Sequence, residues 1–397
     1  MSLEKMNAIE RQSALTLACI MSLRMLGLFM VLPVFSLYAR QLTGATPTLI
    51  GLSMGIYGLT QALFQIPFGA SSDQLGRKRM ITLGLLIFTA GSLLCASTPS
   101  IWGMIIGRAL QGAGAVGSTI IALMADLTRE NQRSKAMAII GMTIGMSFSL
   151  AMLLGPLLTP WLQVRGLFGL AGGFSILAIF ILYRWVPNPA HPVWHADTEP
   201  DRHSFLTVLK LPELARLNIG IFLLHAIFTA SFVVLPISLQ YHAGLLENHQ
   251  WRLYLPVLLL AFACSIPCII LAEKKQRLTF FFLGAILMLM VSEVIFWQFA
   301  DSILFSSLGL FLFFTGFSVL EAFLPSLVSK TAPAHRKGTA LGIYSCSQFF
   351  GIFVGGSTAG WLYGKIGLTN VYLFCTILAI LWATLAFRMK NPQHRQP

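Results

Sequence analysis

Ionisable side chains inside long apolar stretches are the first candidates for chemistry in this 397-residue sequence. Four such side chains lie well inside these stretches: Glu321, His225, Arg24 and Arg108. A charge at lipid depth is costly, so a side chain of this kind is a functional candidate by default. We favour Glu321 as a site that takes up and releases a proton, with His225 as the second candidate. For His225 the alternative is a packing histidine.

The position of Glu321 along its stretch supports this choice. Of the 14 carboxylates, two lie inside apolar stretches, Glu321 and Glu293. At 1.5 Å per helical residue, Glu321 is roughly 13 Å from Lys330 at the end of its stretch, close to the middle of a bilayer. Glu293 lies nearer the opposite end of its stretch, where water can reach it. A structural role is therefore favoured for Glu293.

The two buried arginines cannot release their proton, so neither carries it. Arg24 and Arg108 can instead act on a carboxyl group or bind an anion. Burial disfavours the charged form of a carboxyl group, and a nearby cation favours it. A cavity that opens and closes would alternate these two effects and so load and release a proton. For Arg108 a structural bond to backbone carbonyls is an equal alternative.

Polar side chains at helical spacing are candidates for a substrate cavity. Tyr57, Gln61 and Gln65 recur every fourth residue and share one helix face, and Tyr344 and Gln348 repeat that spacing. A polar stripe of this kind should face a cavity rather than lipid. The alternative is hydrogen bonding between helices. The cavity candidates are Tyr57, Gln61, Gln65, Gln111, Tyr344 and Gln348.

Composition shows which elements must position these residues. The chain is 56% hydrophobic and only 10% charged, which excludes an ordinary soluble protein. Stretches of about 20 apolar residues, the length that spans a bilayer as a helix, occur twelve times. The sequence therefore predicts an all-α membrane protein with twelve transmembrane helices in two pseudo-symmetric six-helix bundles. The predicted spans are 13–37, 47–70, 80–98, 101–125, 136–160, 166–187, 217–240, 251–272, 278–299, 302–329, 338–361 and 366–388.

The placement of the basic residues predicts the orientation. Of the 27 Lys and Arg, twenty-one fall in the termini and in the connections of one membrane side, and four fall on the other. By the positive-inside rule both termini are cytoplasmic, and the chain is predicted to lie in a cell inner membrane. The net charge of +13 is thereby explained by topology. Nucleic acid is therefore not an expected partner.

An internal repeat indicates two related halves. The segment from Gln65 to Arg77 is matched two hundred residues later by the segment from Ser265 to Arg277, with an acid and a base at the same offsets. Halves repeated in the same orientation are typical of transporters that rock about a midplane site. We expect a bundle over 1–187, a cytoplasmic linker over 188–216 with a possible interfacial helix, and a second bundle over 217–397.

The connection between the second and third spans has residues with distinct physical roles. Gly69 lets another helix approach closely, and Gly76 permits the positive φ of a tight turn. Arg77 and Lys78 hold the loop at the cytoplasmic face. Asp73, at a helix end, is well placed for an ion pair or for the N-terminus of another helix.

The same connection carries a resemblance to a known family. Residues 69–79 read Gly-Ala-Ser-Ser-Asp-Gln-Leu-Gly-Arg-Lys-Arg, which resembles the G-x-x-x-D-x-x-G-R-K motif of the major facilitator superfamily. Residues 107–114 resemble its R-x-x-Q-G motif, and Gly155-Pro156 resembles the Gly-Pro motif of its drug/proton antiporters. The sequence is most similar to YajR-like transporters over residues 22–27, 55–62 and 320–327.

The resemblance implies a charge cluster on the cytoplasmic side. Asp73, Arg77 and Asp126 would form it against the eleventh span, which begins near Gly338. We expect this cluster to act as a latch that joins the halves in the outward-facing state and releases on opening inward. The alternative is that these charges only determine topology and loop shape.

The expected function is secondary active transport by alternating access, with proton-coupled efflux of hydrophobic or cationic small molecules. The alternatives are a proton-coupled symporter for a specific metabolite, an anionic one included, and a non-transporting membrane sensor. Expected partners are a small-molecule substrate, protons and membrane lipid, and the chain is expected to act as a monomer. No cofactor, no metal site and no enzymatic activity are expected, since the sequence shows no nucleotide-binding P-loop and no protease or esterase motif.

Overall fold

The computed structural model describes residues 6–188, 205–333 and 336–387, and the chain is helical over these ranges. Within them there is no β-strand, only one isolated parallel bridge between Thr43 and Ser100. Besides one 3-10 turn at Glu247–His249, the helices are α1 (Ala8–Phe29), α2 (Leu32–Ala39), α3 (Pro47–Leu75), α4 (Arg77–Ser97), α5 (Ile101–Ala113), α6 (Gly117–Asp126), α7 (Glu130–Trp185), α8 (Phe205–Leu209), α9 (Pro212–Tyr241), α10 (Gln250–Lys274), α11 (Leu278–Gln298), α12 (Ile303–Thr331), α13 (Lys337–Ile366) and α14 (Thr369–Phe387).

The described helices provide the twelve predicted membrane crossings. Ten are long and apolar enough to span a bilayer, with α1–α2 and α5–α6 each counted as one. Helix α7 has 56 residues, and a left-handed φ of 56° at Gln163 divides it into two crossings. Helix α13 has 30 residues, or about 45 Å of helix, but its many glycines and polar residues make it less apolar. The all-α membrane fold is therefore confirmed.

Several helices begin earlier than their predicted spans. Helix α1 begins at Ala8 rather than at residue 13, because Asn7 and Glu10 form a reciprocal capping box at its start. Helix α9 begins at Pro212 rather than at residue 217, and proline is favoured at a first helical position. Both starts lie outside the apolar stretches, because a helix that begins at the membrane surface begins in a polar segment.

The predicted linker over 188–216 is partly replaced by helix. Residues 189–204 lie outside the described ranges. The following residues form the short helix α8, which packs against α9 and α13. The side chain of Val208 in α8 is fully buried. At Val208 this helix packs against protein, and its expected place at the membrane interface stays a prediction.

Two crossings are broken within their length. Pro33 follows the break between α1 and α2, as expected because a proline ring clashes with the carbonyl four residues earlier. The second break lies between α5 and α6, where Gly114 has a non-helical ψ of 52°. Helix α6 then starts at Gly117, and its N-cap residue Val116 supplies no side-chain hydrogen bond. The apolar pattern predicted neither break.

The two halves of the chain meet through a glycine seam. We call proximal the membrane side on which α1 begins and α14 ends, and distal the opposite side. On the distal side Gly51 and Gly55 of α3 pack against Gly356 and Gly360 of α13, and these four residues form the seam. A Cβ built on Gly51 would lie 2.3 Å from the carbonyl oxygen of Gly356. The two backbones therefore touch without intervening side chains.

Further distal contacts join the halves. The Ser36 hydroxyl in α2 donates to the backbone carbonyl of Phe232 in α9 at 2.9 Å. That carbonyl is free to accept because Pro236, four residues later, has no N–H. The guanidinium of Arg40 lies 4.7 Å from the ring centre of Tyr241. The structure is thus a state closed on the distal side.

Candidate functional site

Three helices of the second half bring the two proton-site candidates together. Glu321 lies on α12, His225 on α9, and Gln348 on α13 between them. The Gln348 amide nitrogen donates to Glu321 Oε1 at 3.2 Å and lies 2.9 Å from His225 Nε2. His225 Nε2 is 3.8 Å from Glu321 Oε2. An amide has two N–H donors, so Gln348 can link the carboxylate and the imidazole at once.

The two titratable groups of this cluster differ in exposure. The side chain of Glu321 is 35% exposed, whereas that of His225 is only 5% exposed. Glu321 Oε2 itself is buried and points to the histidine. Tyr344 precedes Gln348 by one turn of α13, and its side chain is buried. Of the two titratable groups, Glu321 is therefore the more exposed.

An aromatic layer lies on the distal side of this cluster. Phe228 and Phe317 are one turn beyond His225 and Glu321, and their ring centres are 4.8 Å apart. Phe148 from α7, in the first half, stacks on Phe317 at 5.4 Å and lies 5.7 Å from Phe228. The layer crosses between the halves. It therefore separates the carboxyl group from the distal side of the membrane.

Arg24 forms a separate cluster in the first half. Its Nη2 donates to Gln61 Oε1 at 2.7 Å, to the carbonyl of Gly114 at 3.1 Å and, more weakly, to the Tyr57 hydroxyl at 3.4 Å. The Gln61 amide donates in turn to Gln65 Oε1 at 2.6 Å. In this state the predicted polar stripe of α3 is therefore buried and bonded to a neighbouring helix. Its contact with substrate stays a prediction.

Arg108 lies beside this cluster. Its Nη1 donates to Gln111 at 2.9 Å, and Gln111 donates to the Ser92 hydroxyl at 2.8 Å. The Arg108 guanidinium lies 5.1 Å from the ring centre of Tyr57, and that ring meets Phe349 of α13 at 6.2 Å. The four proton-coupling candidates therefore divide into two groups, with the arginines in the first half and the acid and histidine in the second.

The predicted latch residues meet at the proximal end of the first half. Arg77 is buried, donates from Nε to Asp126 Oδ2 at 3.0 Å, and forms an ion pair with Asp73. Its Nη1 also donates to the Ser72 hydroxyl at 2.7 Å. These bonds lie within the first half. The predicted contact of the cluster with the eleventh span, in an outward-facing state, stays a prediction.

The remaining latch residues have the geometry that their types predict. Gly76 has a φ of 93°, which is the left-handed turn expected of it. A Cβ on Gly69 would lie 3.2 Å from the Ser118 hydroxyl, so α3 and α6 approach closely there. Lys78 Nζ donates to the carbonyl of Val186 at 2.5 Å. The loop is thereby held against two neighbouring crossings.

One strong ion pair, between Glu10 and Arg129, is not indicated by the sequence. The buried carboxylate of Glu10 accepts from Arg129 Nε at 2.8 Å and from the Arg129 backbone N–H at 3.0 Å. The Asn7–Glu10 capping spacing marks the helix start, but nothing local indicates the partner at residue 129. Glu293 is buried inside the second half and accepts from Ser231 at 2.7 Å, which agrees with the structural role favoured for it.

Comparison with known proteins defines the family. The sequence pattern of the Major Facilitator Superfamily matches residues 17–356 and 324–397. The chain is 44% identical over 390 residues to the inner membrane transport protein YajR of Escherichia coli K12, covering 98% of this chain and 86% of that protein. It is 26% identical over 350 residues to the multidrug resistance protein MdtH of Baumannia cicadellinicola, covering 85% of this chain and 81% of that protein.

Solved structures agree on the fold. A bacterial homologue of the human lysosomal transporter Spinster, in an inward-facing and occupied conformation, superposes with a TM-score of 0.75 at 15% identity. That alignment covers 96% of this chain and 97% of the other. Sequence pattern, relatives and fold all agree. The chain belongs to the major facilitator superfamily of membrane transporters.

Proposed function

We propose that the protein is a proton-coupled secondary transporter that exports small hydrophobic molecules. The observation that carries this proposal is the cluster of Glu321, Gln348 and His225. It holds a titratable carboxyl group near the middle of the membrane, on the proximal side of the aromatic layer. The name of one relative, the multidrug resistance protein MdtH, points the same way. With the basic residues on the proximal side, that side is the cytoplasm of a cell with an inner membrane.

The cluster couples protonation to helix position through Gln348. This residue lies on α13, the helix whose glycines also form the distal seam. When Glu321 is ionised, it can accept the hydrogen bond from Gln348, so the negative charge favours the arrangement described here. Protonation weakens that bond and removes the charge. Release of the proton on the proximal side would therefore stabilise the state closed on the distal side.

The expected result of Glu321→Gln is loss of proton-driven export by at least about tenfold, because an amide does not titrate. The measurement uses proteoliposomes with an imposed pH gradient and a panel of neutral, cationic and anionic fluorophores. Exchange of labelled for unlabelled substrate without a gradient should persist in this variant, since glutamine has nearly the size and shape of glutamate.

Glu293→Gln is the matched control. It makes the same change at a buried glutamate of the same half, where Ser231 can still donate to the amide oxygen. We expect it to retain gradient-driven export. Undiminished gradient-driven export by Glu321→Gln would refute the proton role of Glu321. Failure of any gradient to drive any compound through the wild type would favour the sensor alternative.

A further inference from the structure

The break between α5 and α6 exposes a helix N-terminus inside the membrane. Helix α6 has 10 residues, or about 15 Å, so its start at Gly117 lies roughly halfway across a 30 Å hydrocarbon core. Its N-cap Val116 contributes no side-chain hydrogen bond. The first N–H groups of a helix have no partner within the helix and carry a partial positive charge. This end of α6 therefore favours an anion.

Arg24 points to the same place. Its Nη2 donates to the carbonyl of Gly114, three residues before α6 begins, at 3.1 Å. The side chain is completely buried, and its Nε and Nη1 have no hydrogen-bond acceptor among the described residues. A guanidinium has five N–H donors. Burying such a cation without an anion is strongly unfavourable. Both observations call for a negative group at the break.

The described part of the first half, residues 6–188, supplies no carboxylate there. Its acids within the described range lie at proximal helix ends: Glu10, Asp73, Asp126 and Glu130. Arg108 adds a second positive charge nearby, 5.1 Å from the centre of the Tyr57 ring, whose hydroxyl lies 3.4 Å from Nη2 of Arg24. The middle of this half is therefore electropositive, while Glu321 and His225 belong to the other half.

The absence of a side chain at Gly117 leaves a methyl-sized space at the start of α6, next to the side chains of Gln65 and Met21. A Cβ built there would have Gln65 Nε2 at 3.8 Å and Met21 Cε at 4.0 Å among its nearest neighbours. The ring of Phe88 lies 5.6 Å from the Arg24 guanidinium. A polar side chain, Gln65, and an apolar one, Met21, thus border the small space at the start of α6.

We propose that this break is a subsite for the anionic group of the transported molecule, so the substrates are monovalent organic anions with an apolar body. Arg24 and the first N–H groups of α6 bind the anionic group, and Gln65 borders it. This inference rests on the proposed function only in taking the ligand as the exported substrate. The subsite is expected to bind anionic hydrophobic compounds in preference to cationic ones.

The test compares three probes with the same naphthalene body and a permanent charge state. They are naphthalene-1-sulfonate, naphthalene-1-methanol and the (1-naphthylmethyl)trimethylammonium cation, each titrated against the purified full-length protein by calorimetry. We expect the sulfonate to bind most tightly. Arg24→Gln should lower its affinity by about tenfold or more, the effect of losing charge-assisted hydrogen bonds. Arg252→Gln, which removes an exposed distal cation, should bind like the wild type.

Gly117→Ala keeps the proposal testable if Arg24→Gln does not fold. Alanine favours helix, and the added Cβ has only ordinary contacts, so the protein should melt at the wild-type temperature or above it. The methyl group occupies the approach to α6, so sulfonate affinity should fall several-fold. Gly173→Ala is the matched control, since its Cβ would meet nothing within 4 Å, and it should bind like the wild type.

Two results would overturn the subsite. One is tighter binding of the trimethylammonium probe than of the sulfonate by the wild type. The other is unchanged sulfonate affinity in folded Arg24→Gln or Gly117→Ala. The proposed function can fail separately from the subsite. If Glu321→Gln keeps proton-driven export while sulfonate binding depends on Arg24, the proton role of Glu321 is wrong and the subsite stands. If export of a cation needs Glu321 and ignores Arg24, the function stands and the subsite is wrong.

Discussion

Gly51→Val is expected to abolish transport by preventing closure of the distal side. A Cβ at this position would lie 2.3 Å from the carbonyl oxygen of Gly356 and 2.6 Å from Cα of Gly360. Both are backbone atoms, so no side chain can rotate away. Overpacking of a tight contact typically costs about 1–3 kcal/mol and more when backbone must move. Each increment of about 1.4 kcal/mol lowers the population ratio of the closed state to the open state tenfold. The state described here should therefore become rare in this variant.

The distance between the distal ends of α2 and α9 is the measurement that tests this expectation. Spin labels at the distal ends of α2 and α9 should report a longer distance in Gly51→Val than in the wild type, together with at least about tenfold slower transport. Gly173→Val is the control, because a Cβ there meets no atom within 4 Å. An unchanged distance with normal transport would show that closure on the distal side does not require the glycine seam.

Asp126→Ala is expected to cause the largest loss of stability among single changes at the proximal surface. Asp126 and Arg77 are both buried, with side-chain exposures of 0% and 1%. Removing one partner of a buried ion pair leaves a charge in a poorly solvated place and costs about 3–5 kcal/mol. The measurement is the melting temperature of the purified protein in detergent.

Asp73→Asn is the matched comparison at the same arginine. Asp73 is 37% exposed, so its pair with Arg77 is screened by solvent and should contribute about 1 kcal/mol or less. The protein should therefore fold normally. The latch hypothesis predicts slower transport in this variant. Normal expression with undiminished transport would leave Asp73 only a role in topology and loop shape, and an Asp126→Ala protein as stable as the wild type would contradict the burial argument.

Local sequence was sufficient for the crossings and for the turn at Gly76. The length of each apolar stretch depends only on the thickness of the bilayer, and the left-handed φ of 93° at Gly76 depends on one residue type. Helix ends were less accurate, as α1 and α9 show. Their starts are capped or polar residues, which a search for apolar residues leaves out.

Local sequence could not pair the glycines of the seam or reveal the break before α6. Gly51 and Gly356 are both ordinary helical glycines in the sequence. They matter because two backbones touch at that point, which is a property of the packing between the halves. The break at Gly114 likewise depends on tertiary contacts, because its carbonyl is bonded by Arg24 from another crossing.

The sequence by itself determined that this chain spans a membrane, which family it resembles and which few ionisable side chains lie at lipid depth. Only the tertiary structure decided that Glu321 and His225 share one amide while Arg24 and Arg108 lie apart in the other half. The physical reason is the distance along the sequence over which each effect acts. Hydropathy and backbone preference act within a few residues, whereas the partner of a buried charge is set by the packing of helices far apart in sequence.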